Sequence, residues 1–204
     1  MADKSIYLAS RSPRRRELLR QIGVAFEIIP LRVAPQRGAD VDETPRAGEL
    51  PADYVLRIAV EKAQAGAGML RARRLAARPM LAADTTVVCD GVILGKPADA
   101  ADAARMLALL SGRAHSVLTA VAVARGETRD TRISESKVWF RPLAADEIRR
   151  YVATGEPRDK AGAYAVQGRA AAFITRIEGS YSGIMGLPLA ETADLLRSHG
   201  IVVP

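Results

Sequence analysis

Residues 80–97 read MLAADTTVVCDGVILGKP and predict the β-hairpin that decides the fold class of the chain. Asp90-Gly91 is a strong two-residue turn signal between two apolar runs. A second hairpin is predicted in residues 115–140, turned at Arg125-Gly126. Because helical segments alternate with these hairpins, the pattern favours an α/β fold with a mixed sheet and flanking helices over a purely parallel sheet.

Short strands and helices alternate along the rest of the chain. Further strands are predicted at SIYLAS (5–10), AFEIIP (25–30) and GRAAAFITRIEG (168–179). Helices are predicted after Ser12, over 52 to about 76, after Asp99 to about Leu110, over 144–153, and from about Pro188 to Ser198. Asp99 is predicted to cap its helix, with Asp102 near the N3 position. Residues 32–50 are polar and rich in Pro and Gly, which predicts a loop.

Length and composition limit the class of protein. The chain has 204 residues, of which 49% are hydrophobic, enough for one domain or two joined lobes with a core. A net charge of +7 suits an anionic partner, either nucleic acid, a membrane or a phosphorylated ligand. The single cysteine, Cys89, lies in an apolar run and is interpreted as a core residue. With no signal peptide and no apolar stretch approaching about 20 residues, we expect a cytoplasmic protein without membrane contact.

The stretch SRSPRR, residues 10–15, places arginines in the first turn of a predicted helix. Ser12 is predicted to cap that helix, with Pro13 at its first position. A strand-to-helix junction offers backbone N–H groups to phosphate, and Arg14 and Arg15 would add multi-donor cations. Because cations are mildly unfavourable at this end of a helix, either a polyanion binds there or the arginines point to water.

Lys62 stands out in the helix predicted over 52–76. It continues the apolar stripe formed by Tyr54, Val55, Ile58 and Ala59. A lysine in this position either extends its amine to the edge of the core or lines a cleft.

Asp84 lies inside an apolar strand, where a carboxylate is costly unless it is paired, hydrogen-bonded or bound to a metal. The register counted back from the Asp90-Gly91 turn pairs Thr85 with Lys96. Lys96 then lies within one residue of Asp84, on the opposite face of an ideal strand. An acid and a lysine at one end of a hairpin favour a functional site over a surface.

The stretch EPRDKAGAYAVQG, residues 156–168, has glycines that either allow close approach to a ligand or belong to an ordinary loop. His115 and His199 are too few and too far apart to predict a zinc site. Motifs of P-loop, dinucleotide-binding and serine hydrolase enzymes do not occur. Arginines and lysines combined with carboxylates are the set that a magnesium-dependent phosphoanhydride hydrolase needs.

Eight stretches in order resemble the Maf family of nucleotide pyrophosphatases: SRSPRRRELL, DETP, YVLRIAVEKA, AADTTVV, ILGKP, LSGRAHSVLTAVAV, TGEPRDKAGAYAVQG and GSYSGIMGLPL. The resemblance covers nearly the whole chain and implies one catalytic domain over 1–204. It implies a mixed α/β fold related to the inosine triphosphate pyrophosphatases, with two lobes around a cleft. It also implies hydrolysis of a nucleoside triphosphate to monophosphate and pyrophosphate, with a divalent metal cation, Mg²⁺ or Mn²⁺.

The resemblance also implies roles for single residues. Asp84 matches the general base of the family. Arg15, Glu43, Lys62 and Lys96 match the other catalytic or phosphate- and metal-handling positions. Glu43 and Asp84 are expected to hold the metal. The expected substrate-binding residues are Ser10, Ser12, Arg14, Thr85 and Gln167.

Within the family, Arg14, Thr85 and Gln167 match the specificity positions of the branch that acts on dTTP and UTP. An amide such as Gln167 can both donate to and accept from a pyrimidine edge. The branch acting on 7-methyl-GTP carries a bulky residue, a glutamine and a glutamate there instead. Two departures stand out: residues 31–40 look longer than usual, and Ala165 replaces a frequent glycine. The second is a small change unless the backbone there needs a positive φ.

Two alternatives remain open at this point. The chain could hydrolyse methylated purine nucleotides, or it could act without catalysis as a cell-division regulator, since the family name is tied to septum formation. The sequence shows no basic stripe interleaved with aromatic residues, which counts against stable nucleic-acid binding. The oligomeric state is left open, with a homodimer as one outcome.

Overall fold

The computed structural model describes residues 5–32 and 40–203, and it has a mixed α/β fold. The strands are β1 (Ser5–Leu8), β2 (Ala25–Ile28), β3 (Met80–Cys89), β4 (Val92–Leu94), β5 (Ala114–Arg125), β6 (Thr128–Phe140) and β7 (Ile174–Glu178). The α-helices are α1 (Pro13–Gln21), α2 (Pro51–Ala72), α3 (Ala100–Leu110), α4 (Ala145–Ala153), α5 (Tyr181–Met185) and α6 (Leu189–Ser198). Short 3₁₀ helices cover Ala161–Ala163 and Arg169–Phe173.

Within the described residues the strands form one seven-stranded sheet in the order β2-β1-β3-β5-β6-β7, with β4 beside β3. β1 runs parallel to both β2 and β3, whereas β3–β4 and β6–β7 are antiparallel. The predicted mixed sheet with flanking helices is therefore confirmed.

The first hairpin shows how far a turn signal reaches. Cys89 pairs with Val92 and Val87 with Leu94, as the Asp90-Gly91 turn predicts. The extrapolated pairing of Thr85 with Lys96 is wrong because β4 ends at Leu94. The next carbonyl, that of Gly95, accepts a hydrogen bond from the Gly162 N–H at 3.1 Å instead.

Most helix predictions are confirmed, and three segments differ. α2 ends at Ala72 rather than near residue 76, and Arg74 just beyond it has a φ of 53°. The predicted strand over 168–179 begins only at Ile174, because residues 169–173 form a 3₁₀ helix. α5 was not predicted. Residues 33–39 of the predicted loop lie outside the described residues, and 40–50 contain no helix or strand.

The described chain divides into two compact units. Unit 1 comprises residues up to 84, 119–134 and from 186 onward; unit 2 comprises 85–118 and 135–185. The buried residues of unit 1 include Ile58 of α2, Ile6 of β1 and Leu81 of β3. The core of unit 2 includes Leu107, Val138 and Cys89, so the interpretation of Cys89 as a core residue is confirmed. The arrangement of two lobes around a cleft stays a prediction.

None of the helices in the described part of the chain is both long and apolar enough to cross a membrane.

Candidate active site

α2 has the predicted apolar face, and the charged residue Lys62 lies at the end of that face. Tyr54, Val55, Ile58 and Ala59 are all buried on one side of the helix, spaced at three and four residues. Lys62 lies one turn further along this face, and only 13% of its side chain is exposed. Its amine is not directed to bulk water, because it ends between two carboxylates.

Lys62 joins the two predicted acidic residues. Its Nζ lies 2.7 Å from Oδ1 of Asp84 and 2.7 Å from Oε1 of Glu43. Asp84 is the fifth residue of β3 and is 8% exposed. A buried carboxylate needs a compensating partner, and among the alternatives that the sequence left open for Asp84 the structure shows an ion pair. The partner is the helical Lys62.

Arg15 belongs to the same group of charges. Its Nε donates to the Gly186 carbonyl oxygen at 2.7 Å, which fixes the side chain. Burial lowers the pKa of Arg15, whereas the negative charges of Asp84 and Glu43 act to raise it. Unit 1 thus brings together Arg15, Glu43, Lys62 and Asp84, which the sequence places in four separate motifs.

Arg14 is half-buried, and burial lowers the pKa of its guanidinium. Its Nε atom is buried and has no hydrogen-bond partner among residues 5–32 and 40–203. A buried, unpaired guanidinium nitrogen is costly in the protein alone. This placement favours an anion at the start of α1 over an arginine that simply points to water.

Ser10 and Ser12 shape the junction between β1 and α1. Ser12 occupies the N-cap position, but its side chain makes no capping hydrogen bond, so the predicted cap is wrong. Its backbone N–H instead donates to Oγ of Ser10 at 3.1 Å. Ser10 is buried, and its hydroxyl therefore holds the turn that leads into the arginines. Whether either serine binds substrate stays a prediction.

The remaining predicted site residues belong to separate segments of unit 2. Thr85 follows Asp84 directly in β3 and is half-buried. Lys96 is exposed just after β4, and Gln167 is exposed directly after the buried Val166. Ala165 has no positive φ, so its substitution for glycine needs no backbone strain there.

Glu156 supports the Gln167 segment and was not singled out from the sequence. Its Oε1 accepts from the Tyr151 hydroxyl at 2.9 Å, and its Oε2 accepts from the Arg169 N–H at 3.1 Å. A Cβ atom at Gly168 would lie 2.6 Å from Cδ of Glu156, so a larger residue there would have to displace the Glu156 carboxylate from its hydrogen bonds. Glu156 and Gly168 are 12 residues apart, so their contact forms only once the loop is folded and no local sequence signal marks it.

Glu43 and Asp84 are a suitable donor pair for a divalent cation that arrives with a polyphosphate. In the described residues no group of three or more His, Cys, Asp or Glu could hold a metal by itself. Mg²⁺ is commonly held by one or two carboxylates, with substrate phosphates and water completing an octahedron. The carboxylate oxygens of Glu43 and Asp84 match that requirement.

The chemistry available to this arrangement is that of phosphoanhydride hydrolysis. Arg15 and Lys62 can neutralise phosphate oxygens, and Arg15 offers a planar set of donors suited to them. Asp84 offers a carboxylate close to these cations that can accept a proton from water.

Comparisons with known proteins agree with this chemistry. The chain is 62% identical to the dTTP/UTP pyrophosphatase of Aromatoleum aromaticum over 197 residues, which covers 96% of this chain and 95% of the relative. It is 60% identical over 195 residues to that of Burkholderia pseudomallei strain 1710b, covering 95% and 92% of the two chains. The Nitrosomonas europaea protein of the same name is 57% identical over 203 residues, covering 99% and 98%.

Among solved structures, the Staphylococcus aureus Ham1 protein aligns with a TM-score of 0.47 at 16% identity, covering 96% of this chain and 97% of that one. A similarity of this size carries no conclusion about the chain. The model of the Maf family, described as Maf-like protein, matches residues 5–199. With nearly the whole chain matched, and with relatives above 55% identity over almost their full length, the chain belongs to the Maf family.

Proposed function

We propose that this chain is a nucleoside triphosphate pyrophosphatase that hydrolyses dTTP and UTP to the monophosphate and pyrophosphate. The observation that carries the proposal is the contact of Lys62 with both Glu43 and Asp84, beside Arg15. The names of the relatives at 57% to 62% identity support the same reaction and the same nucleotides.

The phosphate chain is bound by cations in this proposal. Arg14, Arg15 and Lys62 of unit 1 bind the phosphates and neutralise their charge, and Lys96 is assigned to the phosphates from its match to the family motif. The Nε of Arg14, which has no hydrogen-bond partner in the described residues, donates to a phosphate oxygen, and this hydrogen bond offsets the cost of burying Nε. Binding of the polyphosphate also draws Lys62 toward phosphate oxygens and frees carboxylate oxygens of Glu43 and Asp84.

Asp84 acts as the general base. It takes a proton from a water molecule while the water oxygen adds to phosphorus at the α–β anhydride. The bond between that phosphorus and the bridging oxygen breaks, and pyrophosphate leaves with the electron pair. The proton held by Asp84 is afterwards released to solvent.

Glu43 and Asp84 would hold the divalent cation, Mg²⁺ or Mn²⁺. When bound, such an ion neutralises phosphate charge and makes a water molecule more acidic. Thr85 and Gln167 would contact the base, with Gln167 offering both a donor and an acceptor. Ser10 and Ser12 would present the β1–α1 junction to phosphate. We also propose that the protein is cytoplasmic. A homodimer stays an expectation from the sequence.

A panel assay tests the proposal. Purified protein is incubated with canonical nucleoside triphosphates and 7-methyl-GTP, with Mg²⁺, with Mn²⁺ or with chelator, and products are separated to distinguish pyrophosphate from orthophosphate. We expect metal-dependent release of pyrophosphate from dTTP and UTP. Asp84→Asn should abolish it, while Asp194→Asn, at an exposed surface aspartate that pairs with Arg197, should not.

Other outcomes identify the alternatives. Preferential turnover of 7-methyl-GTP would reject the dTTP/UTP assignment and keep the reaction. If no nucleotide is hydrolysed, the proposal that this chain is an enzyme is rejected. A fluorescence anisotropy titration with DNA at physiological salt would then test the regulator, for which sub-micromolar, salt-sensitive binding is expected.

A further inference from the structure

Arg57 of α2 holds the backbone on both sides of Glu43. Its Nη2 donates to the carbonyl oxygen of Thr44 at 3.1 Å, and its Nη1 donates to that of Asp42 at 3.4 Å. The hydroxyl of Tyr54, three residues earlier on the same helix, donates to the carbonyl oxygen of Glu43 at 3.0 Å. Three consecutive carbonyls are therefore bound by two side chains of one helix.

The other end of the same loop supplies the counter-ion. Nε and Nη2 of Arg57 donate to the two carboxylate oxygens of Glu49, at 2.6 and 2.8 Å. Such a two-pronged pair fixes the guanidinium plane and not only its charge. The side chain of Glu49 is 9% exposed, and the hydrogen bonds from Arg57 lower the pKa of Glu49 to about 2. The pair stays ionised throughout the neutral range.

Two further hydrogen bonds lie within the loop itself. Thr44 N–H donates to the Asp42 side chain at 2.9 Å, and Arg46 N–H donates to Glu49 at 3.0 Å. Residues 40–50 contain no helix or strand to fix the direction of Glu43. The fork of Arg57, supported by Tyr54, holds the backbone of this segment against the helix that also carries Lys62. Arg46 adds a longer, more exposed side-chain contact to Glu61 of that helix, at 3.4 Å.

We infer that Arg57 is a positioning residue for Glu43: it sets the distance of the Glu43 carboxylate from Lys62 and Asp84, and so tunes binding of the catalytic cation. This inference rests on the proposed function, in which Glu43 and Asp84 share that cation. Arg57 itself does not touch the reacting atoms. Its substitution should therefore act through metal binding and turnover, with little effect on recognition of the nucleotide base.

The decisive variant is Arg57→Lys. Lysine keeps the positive charge, but its ammonium group cannot reproduce the planar fork that reaches Glu49 and the backbone carbonyls together. Residues that orient metal ligands typically contribute about 10- to 100-fold to metal affinity or activity. We expect a loss of that size in kcat and in apparent affinity for Mn²⁺, with KM for dTTP much less affected.

Arg141→Lys is the matched control. Arg141 also forms a two-pronged pair, with Glu147 at 2.7 and 3.1 Å, and also donates to backbone carbonyls, those of Pro142 and Ala172. It belongs to unit 2, whereas Arg57 and Glu43 belong to unit 1. Its substitution should leave the metal dependence of the enzyme unchanged.

Amide hydrogen exchange of residues 42–49, followed by mass spectrometry, provides a readout that needs no turnover. Exchange should be faster in Arg57→Lys and unchanged in Arg141→Lys. Unchanged exchange in Arg57→Lys would overturn the inference, as would faster exchange with wild-type metal dependence and kcat. If the wild-type protein hydrolyses none of the nucleotides, the proposed function and the catalytic part of this inference are both rejected. The hydrogen-exchange rates of residues 42–49 would still show whether Arg57 holds the loop.

Discussion

Nζ of Lys62 and Oδ1 of Asp84 lie 2.7 Å apart, although 22 residues separate them in the chain. One comes from the middle of a long helix and the other from the middle of a strand, so both backbones are well fixed. The same amine reaches Glu43 on a loop. A single cation therefore holds two carboxylates that would otherwise repel each other.

This arrangement predicts that the stability cost of removing Lys62 depends on whether Asp84 is present. Lys62→Met leaves Asp84 buried without its partner, and breaking such a pair costs about 3 kcal/mol in the free energy of unfolding. In an Asp84→Asn background the same substitution should cost clearly less, because no buried negative charge is left unpaired. Urea denaturation of the four proteins measures the coupling. Equal costs in both backgrounds would contradict the pairing.

Gln167→Glu should shift base preference. A carboxylate cannot donate to an acceptor on the pyrimidine edge, so kcat/KM for dTTP should fall by about tenfold, the order of one lost hydrogen bond. Activity on 7-methyl-GTP, whose base is cationic, should rise. Gln21→Glu makes the same charge change at an exposed position in α1 and should leave the preference unchanged. Unaltered preference in Gln167→Glu would reject the assignment of this residue to the base.

Gly168→Ala should destabilise the loop that carries Gln167. The new methyl group would overlap the Glu156 carboxylate, and overpacking of this kind costs about 1–3 kcal/mol. The cost should shrink when Glu156 is first replaced by alanine, which removes the obstructing group. Thermal unfolding of the single and double variants tests this. An undiminished cost in the double variant would place the strain elsewhere in the loop.

His115 should make stability depend on pH. It is 3% exposed, its Nε2 lies 2.9 Å from the Tyr164 hydroxyl, and burial lowers its pKa to about 4 from 6.5. The unfolded chain then binds a proton that the folded chain does not, so stability is full above pH 6.5 and falls as the pH drops toward 4. The shift corresponds to a loss on the order of 3 kcal/mol.

His115→Gln removes the titrating group and should flatten this part of the profile. The measurement is the free energy of unfolding by urea at pH 7.5, 6.0, 5.0 and 4.5. A variant profile that stays parallel to that of the wild type would assign the pH dependence to other groups.

Local signals predicted most of the secondary structure. The Asp90-Gly91 turn fixed the hairpin register near the turn, and Asp99 caps α3 by accepting from the Asp102 N–H at 2.8 Å, as predicted. The turn could not predict where β4 ends, because strand length depends on what packs beside it. The 3₁₀ helix at Arg169–Phe173 was missed for a similar reason, since Glu156 binds its first amides from outside the segment.

The candidate site was only partly visible in the sequence. The inward stripe marked Lys62, and the apolar strand marked Asp84, but periodicity alone does not show that they meet. Matching motifs to the family was needed for Glu43 and Arg15, which stand in polar segments without periodicity. The role of Arg57 was not predicted, because an arginine beside an apolar stripe is ordinarily a solvent-facing residue of the helix. Its partners on the loop are defined only once the loop folds back on α2.

The single cysteine gives this protein a built-in reporter of opening. Cys89 is 1% exposed at the end of β3, and burial raises the pKa of its thiol. Thiolate, not thiol, reacts with alkylating reagents, so the folded chain is shielded both by access and by protonation. The rate of alkylation therefore measures how often the core of unit 2 opens, without any added label. A second cysteine introduced on the exposed surface could be modified selectively, because Cys89 reacts much more slowly in the folded protein.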